Sequence, residues 1–138
     1  MENSNQKSTK VFNVILWVAQ VLLAAMFLMA GFTKVATPID QLAVGMPWVT
    51  EVPAGLIKFI GVSELLGGLG LLLPSVLRIM PQLTVTAARA LALVMILALA
   101  FHVSRGEYSA IVTNIVLASV SLFISWGRSK KAVIHAKA

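Results

Sequence analysis

Four long apolar segments constrain the fold of this chain more than any other feature. At about 1.5 Å per helical residue, each is long enough to cross most or all of a hydrocarbon core of about 30 Å. The segments are Val11–Phe32, Gly55–Pro74, Gln82–Val103 and Ser109–Trp126. Hydrophobic residues make up 59% of the 138 residues, an excess that a soluble domain of this size cannot bury. We therefore predict an all-α membrane protein with a single four-helix transmembrane domain, residues 11–128.

The basic residues predict the orientation of the helices. The formal net charge is +6, and four spans place most of the Lys and Arg residues on one side of the membrane. These residues are Lys7, Lys10, Arg78, Arg128, Lys130, Lys131 and Lys137. The positive-inside rule makes that side the cytoplasm, so we predict a multi-pass protein of the cell membrane with both termini cytoplasmic. This distribution argues against a nucleic-acid partner and indicates a basic tail, residues 129–138, with some affinity for anionic lipid.

Two shorter segments complete the predicted organisation. Residues 1–10 are polar, and we predict that they are disordered. In the outer loop between the first two spans, Thr37-Pro38-Ile39-Asp40 is typical of a helix start, with Thr37 as N-cap. We expect a short interfacial helix from there to Gly45. The chain has no cysteine, which excludes a thiol–disulfide relay within it.

Glu64 is the most informative polar residue because it lies near the middle of the second span, roughly 14 Å from either end. An ionisable group at that depth costs at least ~2.5 kcal/mol unless it is paired or neutralised, so it marks a functional site by default. We predict that Glu64 pairs with Arg89 or a lysine, and that Gln20 supplies a hydrogen bond. A structural ion pair, a protonated acid and a contact to a ligand or proton all remain open.

Helical projection places a stripe of polar or small residues on three of the spans. The stripes are Gln20, Ala24, Phe27, Gly31 and Lys34 in the first span, Lys58, Gly61, Glu64 and Gly68 in the second, and Asn114, Ala118, Ser121 and Ser125 in the fourth. In the third span, Arg89 and His102 lie about 140° apart and cannot both face one axis. Lipid does not favour such stripes, whereas helix interfaces do, so we expect them to point into one bundle.

The predicted polar core is therefore the candidate site, without an assigned catalytic residue or metal. Its members are Glu64, Gln20, Lys34, Lys58, Arg89, His102 and Asn114. By depth, Gln20 and Glu64 lie near the midplane, and the lysines, His102 and Asn114 lie toward the outer surface. Structural alternatives are equally open: Arg89 extending to inner headgroups, the lysines anchoring the outer interface, and Asn114 bonding between helices. A metal site at His102 is not expected, because no second histidine or cysteine lies near it in the sequence.

Several short motifs, in this order and spacing, resemble the DoxX-like family of small four-helix membrane proteins. They are Gln20-x-Leu22-Leu23-Ala24, Phe27-x-x-Ala30-Gly31-x-x-Lys34, Gly61-Val62-x-Glu64-Leu65-Leu66-Gly67-Gly68, Pro81-x-Leu83-Thr84 with Ala87-Ala88, His102 with Arg105-Gly106-Glu107, and Asn114. The resemblance covers about Leu16 to Arg128. It implies a membrane-embedded four-helix bundle, and it carries over Gln20, Lys34, Glu64, His102 and Asn114 as polar-core positions. Members of the wider family are associated with thiosulfate:quinone oxidoreductase, with membrane complexes that handle oxidative stress, and with receptor assembly.

Three functions follow as hypotheses. The first is an accessory, scaffold or assembly subunit linked to membrane redox or stress functions, without catalysis by the chain alone. The second is a quinone-binding oxidoreductase component, and the third is a small proton-coupled transporter. The cofactor is unknown: a quinone or lipid would suit the polar core, while no metal, haem or flavin signature is visible. Expected partners are the lipid bilayer and membrane or redox subunits, and an oligomer is also open.

Overall fold

The computed structural model describes residues 2–138, which form five α-helices and contain no strand. The helices are α1 (Glu2–Ala36), α2 (Ile39–Gly45), α3 (Ala54–Leu77), α4 (Gln82–Arg105) and α5 (Tyr108–Trp126). A 3₁₀ turn, Pro47–Thr50, follows α2, and a π-helical turn, Gly127–Lys131, follows α5. The four long helices are each apolar and long enough to cross a membrane. The all-α membrane fold and the short helix between the first two spans are confirmed.

The first helix is longer than its apolar segment. It begins at Glu2, so the described part of residues 1–10 is helical, where the sequence predicts disorder. Met1 lies outside the described residues. The polar side chains from Asn3 to Lys10 are exposed, and the helix continues through them without a break. A helix nucleated in the apolar span can extend into such a segment because each further residue adds a hydrogen bond at small entropic cost.

The start of α2 differs from the sequence prediction by its cap. Thr37 does not cap α2, because its backbone N–H still bonds the Thr33 carbonyl at 3.0 Å and so belongs to the end of α1. Pro38 occupies the cap position instead, and no side chain caps the helix. The end of α2 at Gly45 agrees with the prediction.

The helices pack in chain order around a common core. Helix α1 packs on α3, α3 on α4, and α4 on α5, while α1 also contacts α5. Contact between α1 and α3 is especially close at two glycines. A Cβ atom on Gly31 would lie 2.6 Å from the Gly61 carbonyl oxygen, and one on Gly61 would lie 2.9 Å from the Gly31 oxygen. The backbones therefore touch at a point where no side chain fits.

The predicted stripes face this core. All their members are buried except Lys58, which is half-buried. In α4, His102 is buried and Arg89 is exposed, as their angular separation requires.

The bundle has two ends, which we call the loop end and the terminal end. The loop end carries α2, the 3₁₀ turn and the α4–α5 turn, where Gly106 ends α4 in the left-handed region (φ 69°). The terminal end carries the α3–α4 turn and the chain's C-terminal tail. There the Arg78 carbonyl accepts from the Lys137 backbone N–H at 3.0 Å, and Arg78 Nε donates to the His135 carbonyl at 2.9 Å. The cytoplasmic orientation of the terminal end stays a prediction.

Candidate functional site

A buried ion pair joins α1 to α3 near the loop end. Lys34 Nζ donates to both oxygens of Glu64, at 3.0 and 2.8 Å, and the two side chains are only 10% and 5% exposed. The glycine contact positions the pair. A Cβ on Gly61 would lie 2.9 Å from the Cβ of Lys34, so the missing side chain leaves room for the lysine beside α3. Of the partners predicted for Glu64, the structure contains the lysine.

Lys58 lies beside this pair but bonds the backbone. Its Nζ donates to the Val35 carbonyl at 2.5 Å, in the last turn of α1. A cation suits the C-terminus of a helix, where carbonyls lack partners and the helix dipole is negative. Lys58 therefore holds the end of α1 against the start of α3.

Two other predicted contacts to Glu64 are not formed. Arg89 lies on the exposed side of α4, and its Nε donates to Ser125 Oγ on α5 at 3.2 Å. Gln20 is fully buried, but its Nε2 donates to the Leu71 carbonyl at 2.7 Å. Gln20 precedes Lys34 by fourteen residues, roughly 21 Å along α1, and therefore meets α3 at a different depth from Glu64.

Asn114 is buried on α5, as its stripe predicts. Among residues 3–138 its side-chain amide makes no hydrogen bond, so the structure contains no bond from Asn114 to a neighbouring helix within that range.

A second polar cluster lies at the loop end. Arg105 forms a two-point ion pair with Glu51 (Nη2 to Oε1, 2.8 Å) and also donates through Nε to Glu107 at 2.8 Å. His102 Nδ1 hydrogen-bonds the other oxygen of Glu107. The ring of Trp48 stands edge-on to the His102 ring, 5.8 Å between centroids. This cluster ties the outer loop to the α4–α5 turn.

The hydrogen bonds in this cluster shift the pKa values of its two carboxyl groups in the same direction. The hydrogen bond from His102, and then that from Arg105, holds the pKa of Glu107 below its ordinary value of 4.5. The hydrogen bond from Arg105 likewise lowers the pKa of Glu51. Both acids therefore favour the ionised form. The candidate site predicted from the sequence included His102 but neither acid. The contact with Glu51 depends on the course of the outer loop, whereas Glu107 lies only five residues after His102.

Arg128 is the main functional candidate that the sequence analysis missed. It is 2% exposed, although the sequence analysis counts it only among the basic residues that predict the topology. Its Nε donates to Gln20 Oε1 and its Nη1 to Asn13 Oδ1, both at 2.5 Å. Nη1 also donates to the Ala132 carbonyl at 3.1 Å, and the guanidinium lies 5.0 Å from the centre of the Trp17 ring. Within residues 3–138, Nη2 is buried without a hydrogen-bond partner.

A sequence signal for Arg128 exists. The buried stripe of α5 runs Ala118, Ser121, Ser125, and the next helical step of three residues reaches Arg128. The helix continues through this position as the π-helical turn. Gly127 allows the approach, because a Cβ there would lie 2.5 Å from Leu16 Cδ2 on α1. Extending the stripe past Trp126 would have predicted the burial.

A cleft at the terminal end lies beside Arg128. It has a volume of about 900 Å³ and is formed by the start of α1, the end of α3 and the C-terminal tail. Its lining residues are Asn5, Gln6, Thr9, Lys10, Asn13, Trp17, Ser75, Val76, Arg78, Ala132, Val133, Ile134 and His135. Within residues 3–138 no cluster of three His, Asp or Glu side chains could hold a metal ion.

Comparison with known proteins indicates the family of this chain. A search of curated proteins and a search of solved structures find no significant match. The family model of the DoxX-like family matches residues 18–124, which include both partners of the Lys34–Glu64 pair and most of the four long helices. That match covers well over half of the chain. The chain therefore belongs to the DoxX-like family.

Proposed function

We propose that this protein is an accessory membrane subunit that supports or assembles a partner complex linked to membrane redox or stress functions, without catalysis of its own. One observation carries the proposal. Lys34 engages both oxygens of Glu64, the only acidic residue within the apolar spans predicted from the sequence. Its carboxylate thus serves to join α1 to α3.

The energetics of a buried pair favour this structural role. Loss of one partner leaves an uncompensated buried charge, which costs about 3–5 kcal/mol. A carboxylate that carried protons or bound a quinone would have to exchange the lysine for another partner during function. The close two-point contact and the low exposure of both side chains oppose such an exchange. The pair therefore supports a scaffold in preference to a proton carrier.

The outward faces of the helices suit an accessory subunit. Large apolar side chains such as Met29, Phe32, Phe59 and Leu66 are more than half exposed, on the faces of α1 and α3 that point away from the core. These surfaces are available to lipid or to the apolar helices of a partner.

The first test measures activity and partners separately. The purified chain, reconstituted alone in liposomes, is assayed for quinone reduction and for proton flux. Extraction from its own membrane in polymer nanodiscs then shows which polypeptides accompany it. We expect neither activity, and a polypeptide that copurifies in a fixed ratio. Turnover of a substrate by the chain alone would overturn the proposal.

A charge-neutral pair of substitutions distinguishes the scaffold from the two alternatives. Lys34→Gln combined with Glu64→Gln removes both buried charges at once. For a scaffold, the folded double variant keeps its partner and the activity of the partner complex. For a quinone-binding component or a proton-coupled transporter, it folds but loses Glu64-dependent quinone reduction or proton flux. Ser63→Ala, next to Glu64 on α3, controls for nonspecific effects.

A further inference from the structure

We propose that the cleft at the terminal end binds the phosphate headgroup of an anionic membrane phospholipid. The inference goes beyond the accessory role and does not depend on it. It starts from Arg128, a residue that is only 2% exposed and whose three hydrogen-bond acceptors are neutral oxygens of Gln20, Asn13 and Ala132. A buried cation is normally paired with an anion, since desolvation of the charge is otherwise uncompensated. Within residues 3–138 no carboxylate pairs with it, and its Nη2 has no acceptor.

The contacts of Arg128 connect it to the cleft. Asn13, Trp17 and Ala132 contact the guanidinium, and the same three residues line the cleft. The buried cation therefore lies directly behind the cleft wall. An anion in the cleft would be separated from the Arg128 charge only by these three residues. The attraction between the two charges would be weakly screened across them.

The lining of the cleft has the chemistry of an amphiphile site. Lys10 and Arg78 supply positive charge, and among residues 3–138 no Asp or Glu lines the cleft. Apolar side chains complete the wall: Trp17, Val76, Val133 and Ile134. Basic pockets between transmembrane helices at a basic membrane face are typical sites for acidic phospholipid headgroups. Arg78 is the arginine of this lining, and the planar donors of an arginine match phosphate oxygens in pairs.

Size and position favour a lipid over free phosphate. A volume of about 900 Å³ exceeds what an inorganic anion fills, and the apolar wall would remain uncovered by it. Acyl chains entering from the bilayer would cover that wall. The cleft also begins at Asn5, in the exposed start of α1, and reaches Trp17, twelve residues or roughly 18 Å farther along the helix. That depth corresponds to a headgroup with the first part of its chains.

The test compares lipids retained by the full-length protein. The protein is reconstituted from phosphatidylcholine alone or from a mixture with phosphatidylglycerol, and retained lipids are counted by native mass spectrometry. Thermal unfolding is followed in parallel. We expect the wild type to retain phosphatidylglycerol about tenfold over phosphatidylcholine and to unfold at a higher temperature in the mixture. Inorganic phosphate added to phosphatidylcholine samples should not reproduce the thermal shift.

Two kinds of variant locate the site. Lys10→Gln with Arg78→Gln removes two charges from the cleft, and Lys130→Gln with Lys131→Gln removes two from the same end outside it. Thr9→Trp fills the cleft without any change of charge. This variant leaves Arg78 in place, so it tests the cleft without release of the tail that Arg78 contacts. We expect both cleft variants to lose the preference for phosphatidylglycerol and the tail variant to keep it.

Three outcomes would overturn the proposal. Equal loss in the cleft and tail variants would mean that general surface charge attracts the lipid. Undiminished retention in folded Thr9→Trp would place the lipid elsewhere. A thermal shift produced by inorganic phosphate alone would assign the cleft to a free anion.

Discussion

Cations at the two ends of the bundle have different kinds of partner. Near the loop end, Lys34 meets Glu64, and Arg105 meets Glu51 and Glu107. At the terminal end, Arg128 is at least as deeply buried, yet its acceptors are an amide oxygen from each of two side chains and one backbone carbonyl. Near the loop end, two cations are therefore paired with acids of the chain, whereas among residues 3–138 no carboxylate pairs with Arg128.

This difference distinguishes cations that stabilise the fold from a cation that is available to attract a ligand. A cation paired inside the protein contributes to the fold and has little left to offer a ligand. A cation that meets only neutral oxygens retains most of its charge for an external anion. Glu64 is the most informative polar residue of the sequence, but by this criterion Arg128 is the better candidate for attraction of an external anion.

The largest expected effect comes from the breaking of the Lys34–Glu64 pair. Glu64→Gln or Lys34→Gln alone should lower the free energy of unfolding by about 3–5 kcal/mol, because each leaves one buried charge without its partner. The double variant should regain a large part of that loss, since it leaves no buried charge. Reversible unfolding in mixed micelles measures all three. Additive losses in the double variant would show that the two charges do not stabilise each other.

The next effect tests the close helix contact that positions this pair. Gly61→Ala places a methyl group 2.9 Å from the Gly31 carbonyl oxygen, closer than such atoms pack. The helices must separate, and we expect a loss of roughly 2–3 kcal/mol. Gly55→Ala, near the start of the same helix, meets nothing within 4 Å and is the matched control. Similar stability of the two variants would argue that the α1–α3 contact can shift without cost.

Much of the fold was predictable from sequence because it depends on helical periodicity and segment length. The four spans follow from apolar length, and the buried faces of α1, α3 and α5 follow from residues spaced three and four apart. The pairing of Glu64 with a cation was also predictable, since a buried ionised acid is costly without a partner of opposite charge. Which cation it is depends on the depth at which α1 meets α3, and the Gly31–Gly61 contact sets that depth.

Two of the remaining errors concern places where the chain leaves a regular span, and a third concerns the face of a helix. Arg128 looks like a topology signal by composition, and its burial depends on a helix that continues past Trp126. The Glu51–Arg105 contact joins residues 54 positions apart through an irregular loop. Arg89 was assigned to the core because it lies within a span, but its own helix face exposes it. Periodicity predicts which face of each helix is buried, but it does not predict which residue of the neighbouring helix that face contacts.

A smaller effect tests the neutral environment of Arg128. Gln20→Leu removes the acceptor of Arg128 Nε and the donor to the Leu71 carbonyl. Two buried polar groups lose a partner, and we expect a loss of about 1–2 kcal/mol. Gln82→Leu, at the exposed start of α4, is the control. Chemical unfolding in a zwitterionic detergent measures both; a Gln20→Leu variant as stable as the control would mean that Arg128 finds an equivalent acceptor.

The smallest effect belongs to the exposed part of the loop-end cluster, where water screens the charges. Hydrogen bonds from His102 and Arg105 lower the pKa of Glu107 and Glu51 in the folded state. Their contribution to stability is therefore fully present above the ordinary value of 4.5 and is lost as the pH falls through the lowered folded values. Thermal midpoints between about pH 7 and about pH 3 should show the wild type above a Glu51→Gln, Glu107→Gln double variant at neutral pH, with the gap closing in acid. Asp40→Asn is the control substitution, because Asp40 is exposed and has no ion-pair partner within residues 3–138. A gap that stayed constant with pH would mean that the two acids act through packing and not through charge. The Lys34–Glu64 pair would then be the remaining electrostatic contribution described near the loop end.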